Sequence, residues 1–179
     1  MKVIEVKLYS FDELNDKAKE KAIEKVRESY YKYNDFAEWA VDDCYLLQPK
    51  ELMNEDLLIK NNRKIYFSLD RGRYIDVSSA MEIVSSVKFL KWLGLDNRLI
   101  NKVDYFILKD SIEFHNQSEN EFTKKQEEKL EMAISKFEDH CNKILERIEN
   151  DIDYRFSDES IIEQIECNGY EFTEDGSIY

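Results

Sequence analysis

Three cysteines and two histidines are the residues of this 179-residue chain best suited to nucleophilic or metal chemistry. Zinc needs Cys or His ligands at close, paired spacings, but His140 and Cys141 are neighbours in a helical pattern and point apart, while Cys44, Cys167 and His115 stand alone. No metal site is expected. A cysteine paired with His115 or His140 lacks the flanking pattern of a nucleophile, so no catalytic residue is assigned. Phosphate-loop and dinucleotide motifs need glycine-rich turns, whereas Asp70-Arg71-Gly72-Arg73 holds one glycine, and no cofactor is expected. Arg71 and Arg73 can still grip a partner's phosphate or carboxylate from a turn, although charged side chains at such a tip are also ordinary solvent-facing residues. Asp42 and Asp43 sit side by side in a helical pattern, about 100° apart, and do not converge as paired catalytic carboxylates would.

Carboxylates are the more informative group. The net charge is −13, with residues 60–109 carrying +5 and residues 146–179 carrying −9. In that last stretch Asp151, Asp153, Asp158, Glu159, Glu163, Glu174 and Asp175 fall on a helix-loop-helix-hairpin pattern, which can hold carboxylates in a fixed, phosphate-like array. Such a surface repels nucleic acid and attracts Lys- and Arg-rich grooves built to hold it. Composition is equally compatible with an acidic face that only aids solubility. The basic middle and the acidic end either form opposite faces or partly neutralise each other.

The elements that must position these groups are mostly helices. The clearest β signal is Lys64–Val77, where Ile65, Phe67 and Leu69 alternate with polar residues, Asp70 to Arg73 turn, and Ile75 and Val77 resume the apolar side, predicting a central hairpin. Val3–Tyr9 also alternates and reads as a strand. Ser10 with Glu13 forms a capping box, with Asn15-Asp16 as a second cap, before Ala18, Ala22, Val26 and Tyr30 on one helical face; Tyr30, Tyr31 and Tyr33 cluster at its end as core or binding surface. A second helix runs from Asn34 or Asp35 to before Pro49, and residues 56–60 read as a third strand beside the hairpin. Ser79 with Glu82 predicts a helix over 80–93 stopped by Gly94. Strands follow at 103–108 and 111–114. A long helix near 120–152 is capped by Ser118 and Glu121 or by Thr123 and Gln126, with Leu130, Ile134, Phe137, Cys141, Ile144, Ile148 and Ile152 as its seam. Ser157 or Asp158 starts a shorter helix ended by Asn168-Gly169, and a hairpin over 170–179 closes the chain.

These readings predict an α+β fold over residues 1–179 as one domain: a small antiparallel sheet with a central hairpin, packed by several amphipathic helices. A chain that is 42% hydrophobic can bury a sizeable core. There is no apolar run of about 18 residues and no basic-then-apolar amino terminus, so neither a membrane span nor a signal peptide is expected. Scattered, odd-numbered cysteines suit reduced thiols in the cytosol.

The segments LYSFDELNDKAKEKAIEKVRES and FSDESIIEQIECNGYEFTEDGSIY resemble the two ends of a family of small bacteriophage and prophage proteins, some labelled antitoxin-like. The shared features are Phe11-Asp12-Glu13-Leu14 entering a Lys/Ala-rich helix and the terminal Tyr170 to Gly176. Family members carry a more glycine-rich central hairpin, so nothing is carried over to Arg71 or Arg73, and the family supplies no catalytic residue. The resemblance implies phage origin. Together with the acidic end, it leads to the expectation of a non-enzymatic, anti-CRISPR-like inhibitor in the cytoplasm of an infected bacterium. Its partner would be a defence nuclease or ribonucleoprotein, held without direct nucleic-acid binding. The alternatives are an antitoxin-like module that neutralises a basic toxin and a small enzyme using His115 or His140.

Overall fold

The computed structural model describes residues 5–32, 58–60, 66–68, 74–118 and 120–179, over which the chain is α+β, with helices and two-stranded antiparallel ladders. It divides into two compact units, Met1–Val41 with Glu149–Tyr179, and Asp42–Ile148.

In the first unit, helix α1 (Asp16–Lys32) places Ala18, Ala22 and Val26 four residues apart on one buried face. Asn15 caps it, its side-chain oxygen accepting from the Ala18 N–H at 3.0 Å. The Ser10–Glu13 box also forms, with the Glu13 carboxylate accepting from the Ser10 N–H at 2.8 Å. It closes only a 3₁₀ turn, Phe11–Glu13, because Leu14 is extended. The helix therefore starts at the second cap. The strand expected at Val3–Tyr9 is reduced, over its described residues, to one bridge in which Tyr9 and Phe172 exchange backbone hydrogen bonds of 2.8 and 2.9 Å. With no longer strand beside it, Val6 stays 48% exposed.

Two further helices carry the acidic end: α4 (Lys124–Arg155), whose last turns belong to this unit, and α5 (Asp158–Asn168). The Ser157 hydroxyl caps α5 by accepting from the Ser160 N–H at 3.3 Å, and left-handed Gly169 ends it. Ile161 and Ile165 of α5 share a core with Ala18, Ala22, Val26 and Phe172. The expected terminal hairpin closes through a Phe172–Ile178 bridge and a Thr173 N–H to Ser177 carbonyl bond of 2.9 Å.

In the second unit, the central hairpin forms as expected: β2 (Tyr66–Ser68) pairs antiparallel with β3 (Tyr74–Asp76), with Phe67 opposite Ile75, and both Ile75 and Val77 are buried. Two other readings change. Strand β1 (Leu58–Lys60) pairs with β4 (Met81–Ile83), not beside the hairpin as a third adjacent strand. The helix expected from residue 80 starts later, as α2 (Ser86–Trp92) capped by Ser85. Ser79 cannot act as its cap because Asp76 captures it: the Ser79 N–H donates to the Asp76 carboxylate at 3.0 Å and its hydroxyl to the Asp76 carbonyl at 2.6 Å. Asp76 thus caps a separate 3₁₀ turn, Val77–Ala80, and Met81–Ile83 are released to pair as a strand.

Gly94 ends α2 with φ +101°, where the Leu95 N–H reaches the Leu90 carbonyl at 3.0 Å. Asp96 caps the short α3 (Asn97–Ile100), which leads into β5 (Val103–Leu108) and β6 (Ser111–Asn116), joined by a Lys109-Asp110 turn with both φ values positive. Helix α4 starts behind a Thr123–Gln126 box, with the Gln126 side chain accepting from the Thr123 N–H at 2.9 Å. Its seam buries Leu130, Phe137 and Cys141 against Phe89, Leu93 and Ile112. The helix expected before Pro49, with Asp42, Asp43 and Cys44, lies outside the described residues, as do Arg71, Arg73 and the side chains of the tyrosine cluster.

Candidate partner-binding surface

All seven carboxylates singled out in the acidic end are exposed. On α5 the burial of Ile161 and Ile165 turns Glu159, Glu163 and Glu166 outward at spacings of four and three, so they form one stripe with successive rises of about 6 and 4.5 Å. Asp151 and Asp153 flank the buried Ile152 of α4 and therefore diverge to either side of its seam. Glu174 and Asp175 stand on the hairpin turn. The structure thus gathers Asp158, Glu159 and Glu163 on one helix and does not place Asp151 and Asp153 on one face.

Asp175 and Asp158 hold the unit together. The Lys21 ammonium donates to Asp175 at 2.5 Å, and the Thr173 hydroxyl donates to the same carboxylate at 2.6 Å. Lys21 first, then Thr173, holds the Asp175 carboxyl well below the usual carboxylate range. Asp158 pairs with Arg27, whose guanidinium also bonds Glu24 at 2.7 Å and the Phe156 carbonyl at 3.1 Å. These cations come from α1 and lie more than 130 residues away along the chain. The acidic end is therefore partly neutralised by the amino-terminal helix; nothing but opposite sign marked these partners in the sequence.

Glu163 is also engaged within the unit. The Tyr154 hydroxyl donates to Glu163 at 3.4 Å, and the charge on Glu163 is the main cause of a raised Tyr154 pKa. Among the described residues, Asp151, Glu159 and Glu174 take no hydrogen bond or ion pair. Chemically, the α5 stripe can accept charge-assisted hydrogen bonds from lysine or arginine side chains spaced about one helical turn apart.

Cys167 is exposed on α5, and the other described thiol and imidazole candidates stand elsewhere. Cys141 is buried, and burial first, then Asp110, pushes its thiol far up, away from the thiolate that a nucleophile needs. The His140 ring stands edge-on to Trp92 at 5.0 Å, and its Nε2 is buried without a hydrogen-bond partner among the described residues; burial, then Lys143 and Lys136, lowers its pKa. His115 is exposed on β6. The described residues contain no group of three His, Cys, Asp or Glu side chains placed to hold a metal ion, and no helix among them is long and apolar enough to cross a membrane.

Carboxylates also converge, unforeseen, at Asp76 and Asp110. Asp110 accepts from the Ser78 N–H at 2.5 Å and the Val77 N–H at 3.2 Å, and the Ser78 hydroxyl donates to Asp76 at 2.8 Å. The pair latches the 3₁₀ turn to the β5–β6 turn. Burial first, then the Asp76 charge, raises the Asp110 carboxyl above its ordinary value of 3.8, while the two backbone N–H groups oppose the shift. Tyr74 and Cys141, the neighbouring acids, are also raised, chiefly by burial, and Glu138 is held to Ser111 at 2.7 Å. A carboxyl raised by folding binds its proton more tightly in the native state. That stabilisation is complete below about 3.8 and is lost as pH rises through the folded value. Asp110→Asn, which tolerates the positive φ, is expected to remove this dependence. Urea unfolding at a series of pH values should show wild type gaining stability relative to the variant on acidification; parallel curves would contradict the upward shift of Asp110.

Comparisons with protein-family models, with curated proteins and with solved structures find no match for this chain.

Proposed function

We propose that this chain is a non-enzymatic, phage-encoded inhibitor that binds a bacterial defence nuclease or ribonucleoprotein, in the manner of an anti-CRISPR protein, in the cytoplasm of the infected cell. The observation that supports this reading is the exposed stripe Glu159, Glu163 and Glu166 on a helix whose first residue, Asp158, is tied to α1 through Arg27. Carboxylates on a braced helix lose little entropy when they meet a lysine- or arginine-lined groove, and they steer its approach over a Debye length of about 8 Å at physiological salt. The resemblance of both chain ends to phage proteins supplies the biological setting, and Asp151, Asp153 and Glu174 add exposed carboxylates to the same unit.

The test is capture of host proteins from a defence-competent bacterial lysate on the tagged chain, with low- and high-salt washes and identification by mass spectrometry. A nuclease complex held at low salt and released at high salt is expected. Reversing Asp151, Glu159, Glu163 and Glu174 to lysine should weaken it at least about tenfold. Asp158 and Asp175 stay untouched because their reversal would break contacts to α1. A folded reversal variant that binds as tightly as wild type would eliminate the acidic surface as the binding element, and recovery of a small basic toxin would replace the inhibitor by an antitoxin.

A further inference from the structure

Strands β5 and β6 cover core with one face, through Val103 and Ile112, and the other face breaks the rule that solvent-facing strand positions are polar. Along β5 the outward residues are Asp104, Phe106 and Leu108, with Phe106 46% and Leu108 60% exposed. In the register of the ladder Asp104 stands opposite His115 and Phe106 opposite Glu113. These four side chains form a checkerboard: on one diagonal the Phe106 and His115 rings stack at 5.1 Å with only 12° between their planes, and on the other lie the two carboxylates. The side chains of His115 and Glu113 are 57% and 62% exposed. Neither strand contains a lysine or arginine, and the His115 Nε2 lies 4.0 Å from the Glu113 carboxylate.

We propose that this quartet is a docking surface for an arginine-bearing segment of a protein partner. A guanidinium is planar, stacks on aromatic faces and bonds carboxylates through a fixed fork of donors, and it is the cation that an aromatic pair framed by two acids complements best. The Gln117 amide donates to one oxygen of Asp104 at 3.0 Å and so orients the carboxylate. The surface uses no residue of the acidic helix–hairpin end, so it stands or falls independently of the inhibitor reading.

The test is fluorescence anisotropy with the full chain and two short dye-labelled peptides, one alternating arginine with glycine, the other lysine with glycine. Wild type is expected to bind the arginine peptide about two- to fivefold more tightly, the range of an exposed cation–π contact. Phe106→Leu, which keeps apolar bulk without a ring, should abolish that preference, and Glu113→Gln with Asp104→Asn should weaken both peptides. The variant reversed at Asp151, Glu159, Glu163 and Glu174 should keep the preference although its overall affinity for cations falls. Equal affinity for the two peptides, or an arginine preference that survives Phe106→Leu in a variant with an unchanged melting curve, would overturn the assignment.

Discussion

Replacing Gly176 by valine is expected to lower the stability of the unit that carries the acidic end by roughly 2 to 5 kcal/mol, through backbone strain and overpacking together. Gly176 holds φ +81° in the hairpin turn, a conformation that β-branched residues rarely adopt. A Cβ there would also overlap the Ala18 carbonyl oxygen and approach the Ala18 Cα to 3.1 Å. These are main-chain atoms of α1 inside a buried face, so they cannot swing aside as a flexible side chain would. The hairpin would have to lift, and with it would go the contacts of Asp175 to Lys21 and of Phe172 to Tyr9. Gly169 is the internal control. It too is left-handed, at φ +61°, but an added Cβ meets nothing within 4 Å, so Gly169→Ala should cost only about 1 kcal/mol of conformational preference. Equilibrium urea unfolding of both variants decides the matter; similar losses at the two glycines would show that close approach to α1 is not what Gly176 secures. The effect bears on the proposed inhibitor reading as well, since a lifted hairpin displaces Glu174 and on that reading should weaken partner capture without any change of charge.

What the sequence disclosed follows the range over which each signal acts. Helix α5 was legible at both ends because Ser157 and Gly169 act within one turn, and the α4 seam because seven apolar residues repeat over many turns. The β5–β6 hairpin was legible through its alternation. The errors arose where another partner outbid the one that the pattern named. Ser79 and Glu82 spell a capping box, but Asp76 takes the Ser79 donors first, and Leu58–Lys60 supply a ladder for Met81–Ile83. Val3–Tyr9 alternates, but the terminal hairpin offers its described part a single bridged residue. For the candidate surface, exposure of the acids followed from the apolar positions of α5. Which of them are tied down did not, because Lys21 and Arg27 reach Asp175 and Asp158 through the packing of α1 on α5. The Asp76–Asp110 latch was equally hidden, since two acids 34 positions apart in sequence carry no mutual pattern.

The largest single loss is expected at the core of the other unit, where Phe137→Ala should cost about 3 to 5 kcal/mol, a large share of the roughly 5 to 15 kcal/mol that holds a domain folded. Phe137 is fully buried on the α4 seam and meets Phe89 edge to face at 5.8 Å; Phe89 in turn stacks on Trp92 at 5.9 Å and tilts against Tyr105 at 5.5 Å. The ring therefore joins α4 to α2 directly and, through Phe89, to the β5–β6 ladder, and its removal opens a void in the core that all three share. Collapse is opposed from each side: Ser85 and Gly94 fix the ends of α2, and the Asp76–Asp110 latch fixes the turn of the ladder. Met132 is the contrast on the same helix. It is 72% exposed, so Met132→Ala, which also gains helix propensity, should change stability by no more than about 0.5 kcal/mol. Urea titration followed by tryptophan fluorescence should show the midpoint shift in Phe137→Ala with little change for Met132→Ala. A loss below about 1 kcal/mol for Phe137 would mean that the void closes and that the three elements are joined by other contacts.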